Sequence, residues 1–331
     1  MILVKFSGGL GNQIFQYGLY LELCKRYPDI KVKGDIYTYT YQDVHYGFEL
    51  DRIFRLREKG LLEIASRKDY YKVTGTIAPT KLAPVNSFRE KVLAFTNARL
   101  REHHYHLVGK HLIQEAPNDM NFEIVNRDEW EKELQSKLFE LDTEKDWYVD
   151  GYWQATCFFE HALNDVIKNL NFPKFDDEIN IEYEKIIQKT ESVSIHVRRG
   201  DYVGTIFDVL GTDYYKRAVE DVRIRLQKRD KIPTFFVFSE DSEYVEKHFE
   251  WLGDYHLITH NTGVNSFRDL QLMSLCKHQI TANSSFSAWS GYFNPNPEKL
   301  VYYPEQYSTE SSSVNKTQQG WIMIPEKYGG R

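Results

Sequence analysis

Ser192-Val193-Ser194-Ile195-His196-Val197 reads as a strand and opens the most regular stretch of the chain. A helix over 214–227 is predicted next, followed by a strand over 234–239, a helix over 242–251, a strand over 256–259 and a helix over 267–276. A strand over 279–282, a helix over 286–294 and a strand over 300–303 complete the series. Strands alternating with helices predict an α/β fold with a mainly parallel, doubly wound sheet. Such sheets bind ligands outside the carboxyl ends of their strands, so each loop that leaves a strand is a site candidate.

The chain begins in the same way. Residues 1–6 read as a buried strand, Ser7-Gly8-Gly9-Leu10-Gly11 as a turn whose glycines permit positive φ, and 12–27 as a buried helix stopped before Pro28. A second strand over 30–36 makes this the opening of a βαβ unit. Residues 51–150 mix a charged helical stretch, 129–141, with aromatic and histidine-rich segments. Phe172-Pro173-Lys174-Phe175 and the acidic residues after it read as a connector. A chain of 331 residues exceeds what one core usually holds, so two domains are expected, 1–172 and 173–331. Residues 308–319 read as an exposed polar loop, and Trp321-Ile322-Met323-Ile324 after it should pack.

Composition narrows the function classes. Hydrophobic residues make up 41% and charged residues 27%, which excludes wholesale disorder. Aromatic residues reach 15%, with 23 Tyr, and amphipathic rings suit cores and sugar-stacking clefts alike. The formal net charge is -6 and no run of five or more Lys and Arg occurs, so nucleic acid is not an expected partner. Cys24, Cys157 and Cys276 are odd in number and far apart, which fits a reducing compartment rather than a disulfide framework. Residues 1–6 lack the basic region of a signal peptide, and no stretch approaches the roughly 18 apolar residues of a membrane span. The expectation is a cytoplasmic protein with no transmembrane segment.

Four segments can carry chemistry. Ser194-Ile195-His196-Val197-Arg198-Arg199-Gly200-Asp201-Tyr202 ends its strand in a dense cluster of charge. If the strand continues, Arg198 and Arg199 point to opposite faces and only one faces a cleft. A guanidinium there can hold a diphosphate bidentately and stabilise the charge that develops as it leaves. The same residues fit a salt-bridged strand end in which Asp201 pairs with Arg199. Gly8-Gly9-Leu10-Gly11-Asn12-Gln13 lies between strand and helix, where backbone N–H groups such as those of Gly9 and Gly11 favour an anion. The alternative is a tight turn with Asn12 as helix N-cap. Phe235-Phe236-Val237-Phe238-Ser239-Glu240-Asp241 and Gln279-Ile280-Thr281-Ala282-Asn283-Ser284-Ser285-Phe286-Ser287 are each an apolar strand ending in small polar residues before a helix. Asn283, Ser284 and Ser285 can donate to phosphate oxygens or cap the helix. His103, His104, His106 and His111 have no carboxylate at ligand spacing, so surface histidines are expected there and no metal site.

Taken in this order, Gly8-Gly9-Leu10-Gly11-Asn12-Gln13, His196-Val197-Arg198-Arg199-Gly200-Asp201-Tyr202, Phe238-Ser239-Glu240-Asp241 and Ala282-Asn283-Ser284-Ser285-Phe286-Ser287 resemble glycosyltransferase family 11, the alpha-1,2-fucosyltransferases, here the bacterial ones. The resemblance spans nearly the whole chain. It implies a GT-B-like architecture, two Rossmann-type domains facing across a cleft, with the acceptor on the N-terminal side and the nucleotide held mainly by the C-terminal domain. It also implies GDP-fucose as donor, a terminal beta-galactose of an oligosaccharide or surface polysaccharide as acceptor, and no cofactor or obligatory metal. Peripheral membrane association is compatible with that role.

The resemblance assigns roles by position. Arg198 matches the first arginine of the H-x-R-R motif, which neutralises the departing diphosphate, and His196 would line the same nucleotide site. Asn12 matches an asparagine that faces the reacting centre in related protein fucosyltransferases. Asp269, in Phe267-Arg268-Asp269-Leu270, would read the guanine edge as an acceptor. Ser239, Asn283, Ser284 and Ser285 would hold ribose or phosphate, with Asp241, Gly9 and Gly11 also placed on the donor. The implied reaction is a single displacement at C1 that inverts the sugar, with Asp201 as candidate base beside Arg198. Where the family has Ser-Trp-Trp after Phe286, this chain has Ser287-Ala288-Trp289, which can reshape the local pocket. Transfer with another linkage, such as alpha-1,3, and a non-catalytic GDP-sugar-binding protein of the same fold are the competing readings.

Overall fold

The computed structural model describes residues 1–41, 45–76, 78, 111–115, 127–309, 311–312 and 319–325. The chain divides into two compact units, Met1–Asn171 and Phe172–Arg331.

The first unit is built on a parallel sheet of β1 (Ile2–Lys5), β2 (Val32–Asp35), β3 (Leu112–Gln114) and β4 (Trp147–Asp150), in the order β2-β1-β4-β3. Ile2 pairs with Val32 on one side and Trp147 on the other, so β1 is flanked by strands far apart in the chain. Three successive apolar residues, Ile2, Leu3 and Val4, suit a strand covered on both faces, and all three are buried. Leu3 and Tyr148 pack with Ala65, Tyr70 and Ala78. α1 (Leu10–Arg26) returns the chain from β1 to β2, burying Ile14, Phe15, Leu19 and Leu23. The shorter helices α2 (Thr38–Tyr41), α3 (Glu49–Phe54), α4 (Arg67–Thr74), α5 (Arg127–Phe139) and α6 (Leu163–Asn169) complete the described unit. α4 starts at a reciprocal capping box formed by Ser66 and Asp69.

α1 starts earlier than the sequence predicts. Gly9 takes the N-cap position in an extended conformation, so Asn12 lies inside the first turn and does not cap the helix. The preceding Gly8 has φ 75°, a left-handed conformation that glycine adopts without steric cost.

The second unit carries α7 (Glu178–Lys189), β5 (Glu191–His196), α8 (Thr212–Gln227), β6 (Pro233–Phe238), α9 (Ser242–His248), β7 (Tyr255–Ile258), α10 (Phe267–Leu275), β8 (His278–Ile280), α11 (Ser285–Phe293) and β9 (Val301–Pro304). β10 (Gln306–Ser308) and β11 (Ser311–Ser312) form an antiparallel pair, and β12 (Ile322–Ile324) joins the main sheet beside β9. That sheet is parallel throughout, ordered β12-β9-β8-β5-β6-β7. Along β5, Val193 and Ile195 enter a core with Val219, Val222, Leu226 and Val237. The intervening Ser192, Ser194 and His196 face the other side and are also buried. The predicted helix over 242–251 is interrupted: α9 stops at His248, and a separate 3-10 turn, Glu250–Leu252, follows the buried Phe249. Trp321 packs on Tyr292 at 4.9 Å, over Gly291, where a Cβ would stand 2.7 Å from the Trp321 ring.

Gly18 gives a test of the packing in the first unit. An alanine Cβ there would stand 2.8 Å from Cγ of the buried Phe159. Glycine to alanine inside a helix ordinarily stabilises by up to about 1 kcal/mol. Overpacking reverses the sign here, and Gly18→Ala is expected to cost about 1–3 kcal/mol, read as a lower urea midpoint; a raised midpoint would contradict the contact.

Candidate active site

Chain order locates the crevice in each unit. In the second, β5 is followed by β6 and β7 on one side, whereas β8 and β9 lie on the other, so the direction of winding switches between β5 and β8. In the first, the switch lies between β1 and β4. The carboxyl ends of strands at such a point diverge and leave room for a ligand.

Register decides what stands at the end of β5. His196 pairs with Phe238 of β6, so the residues two further on, Arg198 and Glu240, leave the sheet side by side. Arg198 Nη1 lies 3.3 Å from Glu240 Oε1, and its Nη2 lies 2.5 Å from Asp201 Oδ1. Asp201 therefore pairs with Arg198 and not with Arg199, because the chain turns through a 3-10 turn, Gly200–Tyr202, that brings position i+3 back over Arg198. Arg199 leaves by the opposite face, 4.1 Å over the Tyr244 ring and 3.3 Å from Asp208 Oδ1. A Cβ on Gly200 would stand 2.6 Å from Glu240 Oε1, so glycine permits that approach.

The Arg198 side chain is 28% accessible, and its partners Asp201 and Glu240 are 54% and 37% accessible. Exposed ion pairs of this kind contribute about 0–1 kcal/mol each. A bidentate phosphate contact is stronger. Arg198 is thus oriented yet available to an anion. An open hollow of about 370 Å³ on the β6 side is lined by Glu240, Asp241 and Glu243 as well as Gly200 and Val203. Its acidic wall disfavours phosphate.

On the β5/β8 side stand His196, Asn283, Ser284 and Ser285. The His196 ring lies 5.9 Å from that of Phe286 in the first turn of α11. Burial lowers the His196 pKa to about 3, with the Arg198 charge adding to the effect, so the imidazole is neutral. Its buried Nδ1 has no hydrogen-bond partner among the described residues. Ser284 occupies the N-cap of α11 without a side-chain cap bond. Asn283 Nδ2 donates to the carbonyls of Phe207 and Tyr307, at 2.9 and 2.7 Å, and so ties two loops together.

Ser239 and Asp241 are engaged at the end of β6. Ser239 Oγ donates to Val197 O at 2.9 Å and accepts from Asp241 N–H, while Asp241 caps α9 through Tyr244 N–H. Asp269, in the first turn of α10, accepts from Asn261 Nδ2 at 2.8 Å. Burial pushes its carboxyl up to about 8, opposed by that hydrogen bond and reinforced by the Glu240 charge.

In the first unit, Asn12 Oδ1 accepts from Gln154 Nε2 at 2.7 Å, joining the first turn of α1 to the segment that leaves β4. Lys5 and Asp150, the last residues of those strands, pair at 2.8 Å. Trp153 holds φ 54°, and Glu115 Oε2 accepts from the N–H groups of Tyr152 and Trp153, at 2.6 and 2.9 Å. This turn carries Gln154 back towards Asn12. At the Gly9-Leu10-Gly11 turn, the buried Glu49 carboxylate accepts from Leu10 N–H at 3.1 Å and meets the positive end of α1. The buried Gln13 side chain stitches the turn to α3, donating to Gly8 O and Gly47 O and accepting from Glu49 N–H.

Sequence reasoning missed Glu240, Gln154 and Glu49. The parallel register reveals Glu240 once β5 and β6 are known to be neighbours; the other two lie 142 and 39 positions from the groups they bond. His103, His104 and His106 lie outside the described residues, and His111 packs edge-on against Trp147 at 5.5 Å. Among the described residues no group of three or more His, Cys, Asp or Glu could hold a metal ion, and no helix is long and apolar enough to cross a membrane.

Asp269 generates a pH prediction. Its folded pKa of about 8 lies above the unfolded carboxylate value near 4, so its neutral form favours folding. That contribution is complete below about pH 4 and is lost as the pH rises through about 8. Asp269→Asn, permanently neutral, should gain in Tm relative to the parent between pH 5 and pH 8. Parallel Tm profiles for the two proteins over that range would contradict it.

The sequence profile of Glycosyl transferase family 11 matches residues 1–325. The chain is 27% identical to the O-antigen biosynthesis glycosyltransferase WbnK of Escherichia coli, over 96% of this chain and 98% of that one. It is 26% identical to an alpha-1,2-colitosyltransferase of Escherichia coli, over 98% and 99%. A galactoside 2-alpha-L-fucosyltransferase of Caenorhabditis elegans is 30% identical over 52% of this chain and 50% of its own. Among solved structures, the fucosyltransferase NodZ from Bradyrhizobium superposes with a TM-score of 0.46 at 12% identity, covering 91% of this chain and 94% of that one. With two Rossmann-like α/β units and a profile match over nearly its full length, the chain belongs to glycosyltransferase family 11.

Proposed function

We propose that the protein transfers L-fucose from GDP-fucose to the 2-hydroxyl of a terminal beta-galactoside, on an oligosaccharide or a surface polysaccharide, with inversion and without an obligatory metal. The observation that carries the reading is Arg198 two residues beyond His196 at the end of β5, the strand at the switch point: His196 Nδ1 has no hydrogen-bond partner among the described residues, and β8, the neighbouring strand, leads to α11, whose N-cap Ser284 makes no side-chain cap bond. A guanidinium, a neutral imidazole and a helix N-terminus together suit a diphosphate.

The reaction is one displacement. The acceptor hydroxyl attacks C1 of the fucosyl group as the bond to the GDP oxygen breaks, and the charge gathering on the diphosphate is met by Arg198. Asp269 accepts from the base, and Ser284 and Ser285 hold phosphate. Asp201 takes the acceptor proton in this scheme, and its bond to Arg198 also orients the guanidinium. Family membership and relatives named for alpha-1,2-fucosyl transfer support the linkage. A second reading keeps the site and changes the sugar. The relative named an alpha-1,2-colitosyltransferase, similar over almost the whole of both chains, favours colitose as the transferred sugar. Offering each donor separately and analysing the product linkage distinguishes these readings, and alpha-1,3 transfer as well.

Arg198→Ala is expected to lower kcat/KM by about 10²–10³, the range for a deleted electrostatic stabiliser, with the melting profile retained; near-parental kcat/KM in the folded variant would overturn its role. Asp201→Asn keeps an acceptor oxygen for Arg198 but removes the base, so a loss of about 10² or more in kcat supports proton transfer by Asp201. A loss under about fivefold assigns it to orienting Arg198 alone.

A further inference from the structure

Asp269 stands at the end of a buried amide chain whose polarity is fixed from its far end. Asp177 caps α7: its Oδ1 accepts from Asn180 N–H and its Oδ2 from Asn180 Nδ2, each at 2.8 Å. Burial pushes the Asp177 carboxyl up, but these bonds outweigh it and hold it below the usual carboxylate range, so it is ionised and can only accept. The amino side of Asn180 must therefore face Asp177. Its remaining N–H goes to Asn261 Oδ1 at 2.8 Å, and its own oxygen accepts from Asn261 Nδ2 at 3.1 Å and from the His260 ring at 3.1 Å. The other N–H of Asn261 is then left for Asp269 Oδ1, at 2.8 Å. Both amides are buried, at 2% and 8% exposure, so an inverted arrangement would leave opposed oxygens with no water to separate them.

The consequence falls on Asp269. A carboxyl group turns easily about its last torsion unless something holds it. Asn261 holds it by one oxygen, and the second oxygen has no hydrogen-bond partner among the described residues. Guanine presents two adjacent donors, N1–H and the 2-amino group, which match the two oxygens of an ionised carboxylate; Asp269 is neutral near pH 7 without a ligand, and donors of that pair favour its ionised form once the base is bound. Inosine lacks the amino group, and adenine presents an acceptor at N1.

We infer that Asn261 is a positioning residue for base selection: by donating to Asp269 Oδ1 it fixes the carboxyl plane so that both oxygens address the N1–H and amino group of guanine. This rests on the reading of Asp269 as the group that meets the base. Asn180, on α7, completes the clamp, so the chosen plane is set by three elements of the second unit, α7, the loop after β7, and α10.

The test is calorimetric titration of the full chain with GDP, IDP and ADP. For the parent, GDP should bind about tenfold or more tightly than IDP, the range for one hydrogen bond to a charged group. Asn261→Leu should bring the GDP/IDP ratio to within about twofold of unity, with the IDP constant changed less than the GDP constant. Asn261→Ser, which makes a smaller cavity, should lower the ratio part of the way and serves if the leucine variant does not fold. An unchanged ratio in the folded variant, or an equal loss for all three nucleotides, would mean a purely structural role and overturn the inference. A parental GDP/IDP ratio in Asp269→Asn overturns the base-reading role of Asp269 itself, and absence of GDP binding by the parent overturns both.

Discussion

The second unit of this protein depends on the register of one strand. β5 is hydrogen-bonded to β6 on one side and β8 on the other, with His196 opposite Phe238 and Ile195 opposite Ile280. Those pairings bring the end of a strand carrying His196 and Arg198 against Ser239, Glu240 and Asp241 to one side. The other side receives Asn283, Ser284 and Ser285. A one-residue slip of β5 would exchange its two faces, sending Val193 and Ile195 out of the apolar core and the histidine into it. The burial that fixes the register also fixes the chemistry.

Electrostatics then sorts the two sides of the strand end. Carboxylates gather on the β6 side, where Glu240, Asp241 and Glu243 line an open hollow. The β8 side offers a neutral imidazole and a helix N-terminus, while the guanidinium of Arg198, at the end of β5 between the two, is held by Asp201 and Glu240. Weak exposed ion pairs suit a residue that must be oriented before the ligand arrives and released to it afterwards. The same logic extends to Asp269, a buried carboxyl that is costly to ionise alone and is kept in one plane by a chain of amides.

From β5 to β9 the order of elements in the second unit was legible in the sequence, because each strand there is a short apolar run bounded by polar loops; α7, which precedes β5, and the strands β10, β11 and β12 were not predicted. Helix α8 differs from its predicted span only at the start, and strands β5 and β6 by one residue at each end. The first unit was legible through β2 and then faded: β3 has only three residues, and β4 reveals nothing of its place beside β1 until the long-range pairing is known. Within the site, the identity of Arg198 was readable and its partner was not. Choosing between Asp201 and Asp208 requires knowing that the backbone turns at Gly200, a tertiary matter that local spacing leaves open. The start of α1 was misplaced for a similar reason, since Gly9 is extended and the buried Glu49, far along the chain, accepts from the helix end that Asn12 would cap in one of the two readings of that turn.

The most direct measurement of the central claim is release of GDP from GDP-fucose in EDTA, with and without lactose, alongside GDP-mannose as control donor. The account predicts lactose-dependent release confined to GDP-fucose and unaffected by the chelator. Equal release from GDP-mannose, or dependence on added divalent metal, would contradict it.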